Sequence, residues 1–133
     1  MKIRTEYDEK TVERIARNCD SKSVRDGVAF LRKSAFETPE KFYCEIIDEV
    51  CFFAGYVGKE SFRLYEIAVE NEYKGRGYGR IMMFRLRKLC SKKGISKITL
   101  RTSKDENAVS FYRKFGGKIT GQKKNDWEME LKV

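Results

Sequence analysis

The sequence predicts a single α/β domain of the α+β kind, built on one mixed, largely antiparallel central sheet, and three observations carry that prediction. Residues 42–70 read as three successive strands whose joints are only two and three residues long, lengths that suit antiparallel hairpins. Two later segments, around 79–93 and 107–116, place apolar residues three and four apart and end on glycine, as amphipathic helices do. The chain has 133 residues, 41% hydrophobic and 13% aromatic, enough for one domain over 1–133 that buries roughly two thirds of its unfolded surface.

Taken in order, Ile3 and Thr5 mark a short first strand. Asp8 or Thr11 can cap a helix carrying Val12, Ile15 and Ala16, and Val24, Val28, Leu31 and Ala35 form the stripe of a second. The only proline, Pro39, lies in the loop that ends this helical opening. Strands are expected at 42–47, 50–57 and 61–70, joined by Asp48-Glu49 and Gly58-Lys59-Glu60. Met82, Met83, Leu86, Leu89 and Cys90 make the apolar face of the next helix, which stops at Gly94. Residues 97–102 alternate as a strand. A last helix carries Ala108, Phe111, Tyr112 and Phe115 and ends at Gly116-Gly117, and 118–121 with 126–132 form a closing hairpin. The predicted order is β-α-α-β-β-β-α-β-α-β-β.

The third strand of the central run contains a phase break. Phe62 and Leu64 share one face of a regular strand, whereas Ile67 and Val69 would share the other. Either a β-bulge near Tyr65 to Ala68 resets the alternation and frees backbone groups from the ladder, or the strand is buried on both faces and alternation carries no information.

Composition narrows the chemistry. There is no histidine, which excludes Ser-His-Asp and Cys-His machinery and leaves proton transfer to Glu, Asp, Tyr, Lys, Cys or water. The four cysteines, Cys19, Cys44, Cys51 and Cys90, are far apart and read as reduced, mostly buried thiols without a metal site. No apolar run approaches the ~18 residues of a membrane span, so a soluble, cytoplasmic protein without a membrane partner is expected. The formal charge of +9 is unevenly placed: residues 74–124 hold sixteen Lys or Arg against Asp105 and Glu106 alone, while residues 1–73 are mildly acidic. That partition suits one anionic ligand and a second, cationic one.

The anionic ligand has an evident seat. Tyr73-Lys74-Gly75-Arg76-Gly77-Tyr78-Gly79-Arg80 joins a strand to a helix through three glycines and no acid. Glycines reach backbone conformations closed to other residues, so successive N–H groups can converge on a phosphate at a helix N-terminus, with Lys74, Arg76 and Arg80 supplying charge. The dinucleotide fingerprint fails because Arg80 stands where its third glycine belongs, and no P-loop pattern occurs. Arg76-Gly77-Tyr78-Gly79 matches the opening of an RNA-recognition motif, but that motif needs a strand where this chain has helical periodicity, which disfavours nucleic acid.

Together with its neighbours the turn resembles the GNAT N-acetyltransferase superfamily. Lys74-Gly75-Arg76-Gly77-Tyr78-Gly79 fits the family's Q/R-x-x-G-x-G/A loop except at its first position, and Asn107 to Gly116 is similar to its second block, with Gly117 where an aromatic is usual. The resemblance implies a GNAT-like fold and acetyl transfer from acetyl-CoA to a primary amine by direct attack. It implies that backbone groups of Ile67, Ala68 and Val69 pair with the pantetheine arm, with the Val69 amide aimed at the thioester carbonyl. Residues Lys74 to Arg80, including Gly75, Gly77, Tyr78 and Gly79, would hold the diphosphate, and Asn107 the pantetheine or diphosphate region.

Tyr112 is carried over as the general acid for the departing thiolate, a role open to a phenol whose pKa is near ~10. Glu66, beside the suspected bulge, is the candidate base. The acceptor, a small amine, an aminoglycoside or a protein amine, is expected where the first two helices meet the sheet. Glu6, Asp8, Glu9, Glu13, Asp20 and Asp26 there suit a cationic acceptor, although Arg14, Arg17, Lys22, Arg25, Arg32 and Lys33 dilute them. The alternatives are a single-stranded RNA-binding module and a non-catalytic acyl-CoA sensor, and a homodimer is compatible with the chain.

Overall fold

Periodicity and turn chemistry place the elements where the residues predicted them, in a computed structural model that describes all 133 residues. The strands are β1 (Ile3–Arg4), β2 (Phe42–Ile47), β3 (Cys51–Val57), β4 (Ser61–Val69), β5 (Lys97–Ser103), β6 (Lys118–Lys123) and β7 (Asp126–Lys132). The helices are α1 (Glu9–Arg17), α2 (Lys22–Glu37), α3 (Tyr78–Lys92) and α4 (Glu106–Lys114), with one 3₁₀ turn at Asn71–Tyr73. One sheet runs β1-β2-β3-β4-β5-β7-β6. Only its β4–β5 pair is parallel.

Local chemistry explains the ends. Asp8 caps α1 and Ser21 caps α2, each side chain accepting from the amide three residues on. Asp48 and Glu49, with φ of 52° and 59°, form a left-handed turn closed by the Val50 amide on the Ile47 carbonyl at 3.1 Å; because Ile47 pairs with Cys51, the connection spans 48–50, one residue longer than expected. Asp48 is held in that conformation by accepting from the Lys2 amide at 2.7 Å and from the Tyr78 hydroxyl at 2.8 Å. The stripe of α2 is offset from the expected one: Val24 and Leu31 are buried, but Ser34 completes the face, while Val28 and Ala35 are only partly covered.

Two cores result, one on each face of the sheet. α1 and α2 cover Cys44, Ile46, Phe52, Ala54 and Ala68 with Val12, Ile15 and Leu31. The larger core joins Phe53, Phe62, Leu64, Ile98 and Leu100 to Met82, Met83 and Leu86 of α3 and Val109 and Tyr112 of α4. All four cysteines are buried free thiols.

Both explanations of the phase break hold. β4 is covered on both sides, and its pairing with β3 slips between Ala54 and Gly55: Ala54 faces Glu66 whereas Gly55 faces Leu64. Tyr65 is the inserted residue, so Phe62, Leu64, Ile67 and Val69 all reach the larger core.

At the far end of β4 the buried carboxylate of Glu70 is clamped by Arg14 Nη1 and by Asn18 Nδ2, the latter at 3.2 Å, while Arg14 Nη2 reaches the Glu49 carbonyl at 2.6 Å. The Asn71 amide donates to the Asn18 carbonyl at 2.8 Å. The C-terminal end of α1 is thereby fixed to the junction that leads into the glycine turn. Arg14→Ala leaves Glu70 buried without its counter-charge and is expected to cost about 2 kcal/mol in denaturant unfolding. Adding Glu70→Gln to that variant should recover a large part of the loss, because a neutral amide carries a smaller desolvation penalty.

Candidate active site

Two features of β4 make an opening in the middle of the sheet. Its parallel ladder with β5 runs only from Ser61–Lys97 to Leu64–Leu100. Beyond that point β5 continues against β7 as far as Ser103–Asp126, while β4 continues against β3. The strands therefore part immediately after Leu64, where the bulge falls. The Glu70 amide donates to the Val50 carbonyl on the β3 side at 2.9 Å. Alternation along the strand then turns the peptide groups of Ile67 and Val69 to the opposite side, into the opening, where no strand takes them up. Their side chains pack on the larger core and Ala68 on the smaller.

The glycine turn stands at the mouth of this opening. Gly75 and Gly77 have φ of 78° and 89°, and a Cβ at either would meet nothing within 4 Å, so open space lies before the turn. Gly77 precedes the first residue of α3, whose initial amides have no side-chain cap. Uncapped amides at a helix start, with the positive end of the helix dipole, are an anion seat. Gly79 is needed for a different reason: a Cβ there would lie 2.7 Å from the Phe111 ring, so its bareness lets the first turn of α3 approach α4. Asn107 is exposed in the first turn of α4, four residues before Phe111 and on the same face of that helix.

The charged side chains of the turn already have neighbours. Lys74 Nζ is 3.1 Å from Asp20, and the Arg76 guanidinium lies 4.8 Å over the Tyr73 ring. Arg80 is exposed. The Tyr78 ring is tied by its hydroxyl to Asp48, and Tyr78 opens α3 rather than lying on a strand. The RNA-recognition reading required a strand there, and the helix removes it.

The two candidate proton carriers stand on opposite faces of the sheet. Tyr112 is buried, and desolvation, with the charge of Glu66 adding to it, holds its phenol protonated well above the usual range. Glu66 lies on the opposite face of the sheet under α2, where burial alone pushes its carboxyl up to about 8. It is one of two adjacent residues, with Tyr65, that the bulge turns toward α2. Residue-by-residue reading of the sequence did not single out what surrounds it. Gly27, in the interior of α2, is the place where a Cβ would collide with Glu66 Oε1, and the rings of Phe30 and Tyr65 meet edge-to-face at 4.8 Å beside it. A glycine interrupting a helical pattern was the available signal.

The six amino-terminal acids expected to attract a cationic acceptor are already paired within the chain. Glu6 and Asp8 pair with Arg4, Glu9 and Glu13 with Arg32, Asp20 with Lys74 and Asp26 with Lys22. The sequence shows their number but not these pairings.

An open strand edge that ends near an uncapped helix start has the form that an elongated ligand with an anionic end would suit. Comparison with known proteins identifies the fold and the family. Over its whole length the chain superimposes on the PaiA N-acetyltransferase of Thermoplasma acidophilum, solved with coenzyme A, at a TM-score of 0.80 and 19% identity, covering 100% of both chains. It superimposes on the ribosomal-protein-S18-alanine N-acetyltransferase of Escherichia coli at 0.79 and 17%, covering 99% of this chain and 93% of that one. With an aminoglycoside 6'-N-acetyltransferase complexed with coenzyme A the values are 0.75 and 18%, over 99% and 97%. At these identities the likeness is one of fold. No curated protein matches by sequence. The pattern of the acetyltransferase (GNAT) family matches residues 10–117, so the chain belongs to that family of acetyl-CoA-dependent acetyltransferases.

Proposed function

We propose that the protein transfers the acetyl group of acetyl-CoA to a primary amine in the opening between β4 and β5. The observation that carries this reading is the coincidence of the bulge with the end of the β4–β5 ladder, which leaves the Ile67 and Val69 peptide groups without strand partners between a buried phenol and an unpaired carboxyl. In this reading the amides of Gly75 to Arg80 hold the diphosphate, Asn107 steadies the region next to it, and Ile67 and Val69 grip the pantetheine arm as an added strand would.

The chemistry follows from the two proton carriers. A primary amine of pKa ~10 arrives as ammonium and must lose a proton before it can attack. Glu66 takes that proton, directly or through one water. The amine nitrogen then bonds to the acetyl carbon, the Val69 amide stabilises the charge that develops on the carbonyl oxygen, and the carbon–sulfur bond breaks. Tyr112 gives its proton to the departing thiolate, and the second proton that the nitrogen sheds as the amide forms returns to the phenolate, directly or through water. The raised pKa of the phenol keeps its proton available across the neutral range.

Thermal unfolding tests the reading at its base. Acetyl-CoA at ~100 times its dissociation constant should stabilise the fold by about 2.7 kcal/mol, and the absence of any shift at millimolar ligand would remove the proposal. Tyr112→Phe should lower kcat by about a hundredfold with acetyl-CoA affinity nearly unchanged; an unaltered kcat would return Tyr112 to a packing role.

The pH dependence is equally specific. With Glu66 as base, kcat/KM should rise through pH of about 8 and then level, and Glu66→Gln should abolish the inflection. Bound ammonium favours the carboxylate, so the inflection in kcat should lie lower. Because its folded-state value stands above the ordinary 4.5, Glu66 supports folding fully at low pH and loses that contribution as pH rises through about 8. Glu66→Gln should therefore melt higher than the parent at pH 9 and close to it at pH 4.

A further inference from the structure

We propose that the acceptor carries a single primary amine on an apolar or aromatic body, seated between Gly27 and Phe30 of α2 and Tyr65 and Glu66 of β4, so that polycationic acceptors are disfavoured. This deepens the acetyl-transfer reading above and rests on it. Three observations point to that class.

The first is the charge count at the seat. Glu6, Asp8, Glu9, Glu13, Asp20 and Asp26 are each in an ion pair within the chain, so they present little net charge to a polycation. Glu66 stands apart. Nothing but burial perturbs its carboxyl, because it has no ion-pair or hydrogen-bond partner, and it is not among the polar atoms sealed from solvent. One unpaired carboxylate matches one ammonium. Further positive charges on the acceptor would find the paired acids already neutralised and Arg25, which has no acidic partner, on the same helix.

The second is the apolar surface beside that carboxylate. Phe30 is 53% exposed, and its ring meets the half-buried Tyr65 at 82°. Gly27 and Phe30 lie one turn apart on α2, and the bulge sends Tyr65 and Glu66 to the same side of β4. An amine whose nitrogen meets Glu66 therefore lays its body against the two rings. Aromatic faces attract an ammonium as well as an apolar body, which reinforces the same placement.

The third is Gly27 itself. A glycine inside a helix is less favourable than alanine, and α2 bears that cost where a Cβ would displace the carboxylate end of Glu66. Gly27 thus acts as a positioning residue that leaves the carboxylate its room next to the rings. Acetylation turns the ammonium into a neutral amide, so the product loses its attraction to Glu66 and leaves.

The test is a panel of acceptors with acetyl-CoA fixed: 2-phenylethylamine, n-butylamine, a tetrapeptide beginning with Phe, spermidine and kanamycin, with the acetyl-CoA melting shift measured in parallel. We expect 2-phenylethylamine or the peptide to exceed spermidine and kanamycin at least about tenfold in kcat/KM, the better of the two telling a free amine from a chain terminus. Phe30→Ala should raise KM for the aromatic acceptors about tenfold and erase their advantage over n-butylamine. Gly27→Ala should displace the pH inflection of kcat/KM while the variant melts cooperatively, a change that a purely structural glycine would not produce. Preference for spermidine or kanamycin, or a Phe30→Ala effect equal on all acceptors, would overturn this proposal and leave acetyl transfer standing. A melting shift without turnover of any aromatic acceptor would also overturn it. No melting shift and no turnover would remove the acetyl-transfer reading, and this proposal with it.

Discussion

One inserted residue organises this molecule. Tyr65 is the extra member of the β3–β4 pair, and it falls immediately after Leu64–Leu100, the last rung between β4 and β5. Had β4 continued regularly, the alternation of Phe62 and Leu64 would have driven Ile67 and Val69 onto the other face, out of the larger core. The bulge keeps all four on that core and turns Tyr65 and Glu66 together toward α2. The same stretch of backbone leaves its peptide groups facing a gap where a neighbouring strand would ordinarily stand. Packing and ligand capacity thus arise from one local irregularity.

Electrostatics follow a matching division of labour. Elsewhere in the molecule, the acids with strong burial are paired: Glu45 with Arg85 beneath α3, and Glu70 with Arg14 at the end of β4. Such pairs do little for net stability, but each fixes a segment, because breaking one strands a charge in a poor solvent. Glu66 has no such partner and responds to burial by holding its proton more tightly. A carboxyl left in that condition beside two rings is unexplained by stability, and its charge is felt at the Tyr112 phenol, which is what the proposed proton transfer would use. The basic surplus of residues 74–124 lies on the turn, α3 and the elements that follow, the side suited to an anionic donor.

Most of the architecture was legible in the residues because it is locally encoded. The order of elements, the hairpin at Asp48-Glu49, the apolar faces of α3 and α4 and the phase break in β4 each follow from neighbours within a few positions. The glycine turn was legible for the same reason, since Gly75, Gly77 and Gly79 differ in what they must avoid but share one short segment. What could not be read was non-local. Whether the bulge or two-sided burial explains the phase break depends on α2 and α3 covering opposite faces, and both turned out to hold. Ser34 rather than Ala35 lies on the buried face of α2, which packs on strands that come later in the chain. The pairing of the amino-terminal acids, the Arg14–Glu70 clamp and the space that Gly27 leaves for Glu66 all join residues from different elements.

The central claim is that the unpaired edge of β4 is the donor-binding edge. Amide hydrogen exchange with and without acetyl-CoA, resolved to single residues, tests it most directly. The amides of Ile67 and Val69 should slow markedly on binding, together with those of Gly77 to Arg80, while amides paired across the β3–β4 ladder change little. Tight binding of acetyl-CoA that leaves Ile67 and Val69 exchanging as before would contradict the account.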